Sequence, residues 1–381
     1  MRSWAVIDLD KLVENYRAVS RAAGDGVTLL NVIKADAYGH GSIEICRSLE
    51  QAGAGQFAVT SLDEAATIRK SGSHSTLTVL SGLDSRELPD AVEQDILPII
   101  STKKQLAEWS DYGQKLGRRL PCHIKLNTGM NRLGFDFEPS DSSFLNALLS
   151  SRGAEIVAIA THLASAGDFS SNSTEKQVDQ FAKQLATLGT AGIRPKYIHV
   201  ANSAALAYRA DELSASGVPF TMARPGLALY GYVSDSSPTN RAPNLTVVPI
   251  LEWMACLIDV RPIRAGASLG YGATYRAQRD MTVGVVSVGY ADGYSRRLSN
   301  RGTLSVRGVD CPVVGLVSMD LTLIDLTAVP SARTGDEVTI LSRDSNDAKK
   351  IAGLLETIPY EVLCGISSRV ERRYKSAANV R

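Results

Sequence analysis

The stretch VTLLNVIKADAYGHG, residues Val27–Gly41, is where the fold is first legible. Its first seven residues, Val27–Ile33, are apolar and rich in branched side chains without strict alternation, the pattern of a parallel strand buried on both faces. A lysine follows at once, then a small turn flanked by glycine. The same texture recurs along the chain. Gln56–Thr60 (QFAVT), Leu77–Leu80 (LTVL), Ile96–Ile100 (ILPII), Leu120–Leu126 (LPCHIKL), Ile156–Ala160 (IVAIA), Tyr197–Val200 (YIHV) and Phe220–Ala223 (FTMA) complete a set of eight candidate strands. Between them, Gly41–Gln51, Ser61–Lys70 and Thr102–Leu116 repeat apolar residues at helical spacing, and Ser61–Leu62–Asp63–Glu64 fits a capping box. Eight βα units with right-handed crossovers close into a (β/α)8 barrel. Trp4–Ile7 followed by Asp10–Ala23 reads as a strand and helix placed ahead of it.

After Tyr232 the texture changes. Ser234–Asn244 (SDSSPTNRAPN) is the best linker candidate. Beyond it come short runs punctuated by Gly and Pro: Val247–Ile258, Thr282–Val288, Gly302–Val306, Val313–Val317, Leu321–Asp325 and Glu337–Leu341, with one helix over Asp347–Leu355. This is the pattern of a mostly antiparallel β domain. The expected division is a barrel over 1–235 and a β domain over 236–381, with the first strand free to pair with the second domain.

Composition narrows the function. The 381 residues carry 41 Lys+Arg against 40 Asp+Glu, a net charge of +1, and 44% are hydrophobic. A polyanion binder would show a basic surplus, so nucleic acid is not an expected partner. Cys46, Cys122, Cys256, Cys311 and Cys364 have no metal-ligand spacing, and they read as reduced cytosolic thiols. The N-terminal stretch has neither a signal-peptide pattern nor a membrane anchor. A cytoplasmic protein without a metal is the expectation.

In such a barrel the site forms at the C-terminal ends of the strands. Lys34, Lys125, His162, His199 and Arg224 all fall at or near such ends. A lysine desolvated in a tight turn can form a Schiff base; the bland alternative is a lysine that marks a strand end. Arg224–Pro–Gly–Leu–Ala–Leu–Tyr opens a helical turn, and Asn202–Ser203 opens another, so free amides lie after strands seven and eight, where barrels hold phosphate. Each of these alone is ordinary helix capping. An aldehyde-reactive lysine together with a phosphate cradle points to pyridoxal phosphate.

VIKADAYGHG, KLNTGMNRLGF, THLASAG, HVANSAA, RPGLALYG, LGYGATY, VSVGYADGYSRR, VGLVSMD and IPYEV, in this order, resemble the alanine racemase family over nearly the whole chain. The resemblance implies that Lys34 carries pyridoxal 5'-phosphate and that Arg224 faces its pyridine nitrogen. It implies phosphate contacts from Tyr38, Ser203, Tyr360 and the backbone around Gly226 and Leu227. Lys34 and Tyr271 would be the two bases, Lys34 on the D-alanine side and Tyr271 on the L-alanine side. His162 would support Tyr271 and contact the cofactor ring, within a His162–Arg224–His199 chain, with Asn202 beside it. Arg132 would bind the substrate carboxylate or orient the phosphate side. Met319 would touch substrate from a second subunit, and Tyr290 would line the entry. Lys125 stands where many members carry a carbamylated lysine. The implied assembly is a homodimer with shared sites, supplying D-alanine for peptidoglycan.

Three positions depart from the pattern. Leu316 in VGLVSMD replaces a common Arg, and the Asp expected after THLASA is shifted or lost, with Gly167 and then Asp168 in its place. Loss of both partners leaves neither charge unpaired. Asn127 stands where Asp is common before TGM. Two other readings are a racemase of broader specificity, serine included, and a non-catalytic pyridoxal phosphate carrier. The β domain with Tyr271 argues against the carrier.

Overall fold

The computed structural model describes residues 2–138, 142–236 and 241–377. The middle of the expected linker, 237–240, lies outside the described residues. The chain divides into two compact units. One comprises Val13–Ala37 and Ser42–Val247; the other comprises Met1–Leu12, Tyr38–Gly41 and Val248–Arg381.

The first unit is the barrel. Its strands are an interrupted first one, Thr28–Leu29 and Asn31–Val32, then Gln56–Val59, Thr76–Val79, Ile96–Ile100, Leu120–Asn127, Ala154–Ala160, Tyr197–Asn202 and Met222–Arg224. Neighbours run parallel all the way round. The ring closes through the first strand, whose Thr28 and Leu29 pair with Met222 and Ala223 while Asn31 and Val32 pair with Phe57 and Ala58. Leu29, Phe57, Val59, Leu77, Val79, Ile124 and Ile159 are buried, which is why the strands read as continuous apolar runs. The strand-eight exit is fastened to strand one: Tyr230 Oη donates to Val32 O at 3.0 Å. Asn15 Nδ2 of the leading helix, Leu9–Ala23, donates to Leu229 O at 3.1 Å.

The second unit is mostly β. Its long strand Leu251–Ile263 pairs antiparallel with Ser3–Asp8, Met281–Val286 and Glu337–Leu341. Ser3–Asp8 also pairs, in parallel, with Glu371–Lys375, a strand whose charged sequence ERRYK hides it from pattern reading. The expected strand Val313–Val317 is not one. A hairpin forms just before it, from Thr303–Val306 and Val309–Pro312, turned by Arg307 and Gly308 at φ 53° and 79°. Val313, Val314 and Val317 are buried in the core as loop residues, apolar without a ladder. The isolated bridge Val313↔Ile324 marks where pairing stops.

Candidate functional site

Lys34 opens a short helical turn, Lys34–Gly39, directly after strand one. The next four residues have positive φ: Ala35 51°, Asp36 51°, Ala37 53° and Tyr38 56°. A left-handed conformation costs an L-residue roughly 1–2 kcal/mol, so a run of four is a real strain. Such strain persists only where its surroundings fix it. In the barrel unit, the Ala35 N–H donates to Glu64 Oε1 at 2.7 Å, the Ala37 N–H to Ile33 O at 2.9 Å, and the Ser42 N–H to Asp36 Oδ1 at 2.7 Å. In the other unit, Gly39 has φ +82° and lies so close to Leu363 that a Cβ would stand 2.5 Å from its carbonyl oxygen.

Arg224 ends the last barrel strand and is buried. Its Nη1 donates to His199 Nδ1 (2.7 Å) and His199 O (2.9 Å), and its Nη2 to Thr161 O (2.6 Å) and His162 Nδ1 (3.2 Å). A guanidinium has only hydrogens to give, so both Nδ1 atoms are acceptors and both imidazoles are neutral with their proton on Nε2. Burial, reinforced by the Arg224 charge, pushes His162 down to about 3 and His199 well below the ordinary histidine value. Burial brings Arg224 itself to about 10, which still leaves it a cation at neutral pH. With both Nη groups engaged, Nε–H is the donor that the network leaves over.

Lys125 lies in strand five, half-buried, and is pushed down to about 8 by burial first and then by Arg224, Arg132 and Lys34. Among the described residues none of these four cations forms an ion pair with a carboxylate. Four convergent, unneutralised cations at the mouth of a barrel are suited to anions. Arg132 is exposed on the loop after this strand, and Asn127 organises that loop. Asn127 Oδ1 accepts from the Gly129 and Asn131 N–H groups, and its Nδ2 donates to Asp136 Oδ1 at 2.7 Å and to Asn131 Oδ1. A carboxylate at 127 would face that of Asp136, so the amide suits this chain's own loop.

The segments after strands seven and eight meet at one hydroxyl. Ser203 Oγ accepts the N–H groups of Gly226 (3.0 Å) and Ala228 (3.2 Å). Its oxygen is thereby occupied, and its O–H remains to be given to an anion. Asn202 caps the helix Ser203–Tyr208 by accepting the Ala205 N–H. Leu227, 1% exposed, begins the 3-10 turn Leu227–Tyr230.

The remaining candidates belong to the other unit. Tyr38 and Tyr360 face each other, ring centroids 5.8 Å apart, and burial pushes the Tyr38 phenol above its usual range. Tyr271 is 73% exposed, on a turn between Gly270 and Gly272, both at positive φ. Asn300 braces that turn, donating to Thr274 Oγ1 and accepting the Gly315 N–H. Tyr290 and Met319, also exposed, are stitched together by Tyr290 N–H to Ser318 O and Ala291 N–H to Met319 O, both 3.0 Å.

Two residues of the barrel group escape the sequence reading. His123 is buried, with its ring 5.2 Å from that of His199. Burial, then Arg224, pushes it down to about 3. It stands two residues before Lys125 on the same strand, and the period of two that puts both on one face was the available signal. Glu64 was legible only as a cap.

The alanine racemase N-terminal domain model matches residues 7–234, and the C-terminal domain model matches 250–374. An alanine racemase of Syntrophobacter fumaroxidans is 35% identical over 99% of this chain and 98% of its own length. The crystal structure of alanine racemase from Bartonella henselae with covalently bound pyridoxal phosphate superposes with a TM-score of 0.86 at 29% identity, covering 98% of this chain and all of that one. That from Bacillus anthracis with bound L-Ala-P gives 0.88 at 29% identity, covering 100% and 97%. Barrel, appended β unit and lysine-bearing turn together define a pyridoxal-phosphate-dependent enzyme of the barrel class. Within that class, the chain belongs to the alanine racemase family, whose members are isomerases.

Proposed function

We propose that the chain interconverts L-alanine and D-alanine with Lys34 and Tyr271 as bases on opposite faces of the substrate Cα. The observation that carries this is the Lys34 turn set among Arg224, Lys125 and Arg132, in a chain matched over both units by the family. The barrel residues fit the cofactor: the Ser203 hydroxyl and the Leu227 amide, which the Gly226 and Ala228 bonds to Ser203 Oγ leave over, suit a phosphate. The remaining Arg224 Nε–H suits the ring nitrogen. The chemistry supplied by bound pyridoxal phosphate is acidification of the substrate Cα–H. Arg224, held as a cation, keeps the ring nitrogen unprotonated, which weakens the electron sink and disfavours transamination. Lys34 Nζ takes or returns the Cα proton on one face and Tyr271 Oη on the other. Arg132 holds the substrate carboxylate. His162 and His199 keep the Arg224 plane fixed, while Asn202 fixes the turn that presents Ser203.

The reading includes a cytoplasmic homodimer with shared sites that supplies D-alanine for peptidoglycan. Exposure of Tyr271, Met319 and Tyr290 supports the shared assembly, since large apolar groups at the surface mark interaction sites. Among the described residues no helix is long and apolar enough to cross a membrane.

The test is racemisation of L-alanine and L-serine by purified protein supplied with cofactor. Fast conversion of alanine alone is expected; comparable rates indicate broad specificity, and bound cofactor without D-alanine indicates a carrier. Tyr271→Phe is expected to lower turnover about 10²–10³-fold while cofactor stays bound. Undiminished turnover would remove Tyr271 from the mechanism.

Lys125 is proposed to be a carbamate. At about 8, roughly a tenth of its amine is neutral at pH 7. The neutral nitrogen attacks CO2, the N–C bond forms, one N–H proton leaves, and the resulting anion pairs with Arg132. Protein equilibrated with 13C-bicarbonate should show a carbamate resonance that Lys125→Arg lacks. An unchanged spectrum in the variant contradicts the assignment.

A further inference from the structure

We infer that Glu64 is a positioning residue for Lys34: its carboxylate grips the Ala35 amide and holds the left-handed turn that presents the lysine. The inference rests on the reading of Lys34 as the cofactor-bearing base.

Glu64 comes from a different βα unit, at the third position of the helix Leu62–Lys70 that follows strand two. Its Oε1 accepts the Ala35 N–H at 2.7 Å. Its Oε2 accepts the Thr60 N–H at 2.7 Å and the Ser61 N–H at 3.4 Å. A capping box accounts only for the longest of these, the reciprocal of the Ser61 Oγ bond to the Glu64 N–H. The two short bonds lie outside the capping requirement, and one goes to the residue bonded to Lys34.

That bond sits where it has most leverage. Ala35 is the first of the positive-φ run Ala35–Tyr38, and no glycine within the run favours that geometry intrinsically. If its amide is released, the peptide joining it to Lys34 is free to turn, and the Lys34 side chain turns with it. The bond is charge-assisted, the stronger class of hydrogen bond. The residue type also fits. All three partners are N–H donors, and among the described residues Glu64 has no cation partner, so the whole carboxylate serves these amides. A glutamine would offer one acceptor oxygen and turn an NH2 group toward a donor.

The holoenzyme test pairs Glu64→Gln with Ser61→Ala, which weakens the same helix cap without touching the Ala35 bond. Glu64→Gln should speed hydrogen exchange across residues 34–41, weaken the absorption band of bound cofactor, and lower kcat about 10²-fold with KM for alanine unchanged. Ser61→Ala should lower Tm and leave exchange, absorption and kcat as in the parent. Parental exchange and kcat in Glu64→Gln overturn the inference, as does Ser61→Ala reproducing every loss. Borohydride reduction and peptide mapping of the parent protein locate the cofactor lysine. A label on Lys34 with an unaffected Glu64→Gln overturns this inference alone; a label on another lysine overturns the Lys34 reading and this inference with it.

Discussion

Lys34→Ala is expected to lower alanine racemisation about 10⁴-fold or more and to abolish reductive fixation of the cofactor by borohydride. Two losses combine. One is the covalent anchor, and the other is the proton carrier on one face of Cα, itself typically worth 10²–10⁴-fold. The fold should survive. Lys34 is only half-buried and forms no ion pair among the described residues, while the turn around it is held by backbone amides on Glu64 and Asp36. Racemisation assays, borohydride labelling and a thermal melt on one preparation check this. A variant that melts like the parent and still racemises within tenfold of it would contradict the assignment.

The second large effect is acid lability of the barrel. His123 and His162 are held neutral, each at about 3, by burial and by Arg224. In the unfolded chain a histidine titrates near 6.5. Between those values the unfolded state binds more protons, so stability falls as pH drops from about 6.5 toward 3. At pH 5 the loss relative to pH 7.5 is about 2 kcal/mol for the buried His123 and less for the partly exposed His162. His199 moves in the same direction. The denaturation midpoint in urea should therefore drop sharply between pH 7.5 and 5, and His123→Leu should flatten part of that slope. Equal stability at the two pH values would contradict the neutral assignment.

Most of the barrel was legible because parallel strands covered on both faces must be apolar throughout, and LTVL or IVAIA carry that requirement openly. Lys34 stood out for the complementary reason, a charge ending such a run. Less legible was whatever tertiary contacts impose. Ala35, Ala37 and Tyr38 show no preference for a left-handed turn, and the turn is held in part by Glu64, which lies 29 positions from Ala35 in the second βα unit. Val313–Val317 is apolar because it fills a core, and apolarity alone does not distinguish a buried loop from a strand. Glu371–Lys375 is a strand because Ser3–Asp8 offers it an edge. The roles implied for Tyr271 and Met319 came from the resemblance, since an exposed tyrosine or methionine in isolation carries no chemistry.

The central claim is proton exchange at Cα between two bases. Its most direct measurement is incubation of the purified protein, with pyridoxal phosphate, with L-alanine in D2O, followed by chiral separation and mass analysis of the alanine. The account predicts D-alanine carrying deuterium at Cα, formed at a rate that collapses in Lys34→Ala and in Tyr271→Phe. Absence of D-alanine from cofactor-loaded protein, or D-alanine formed equally well by both variants, would contradict it.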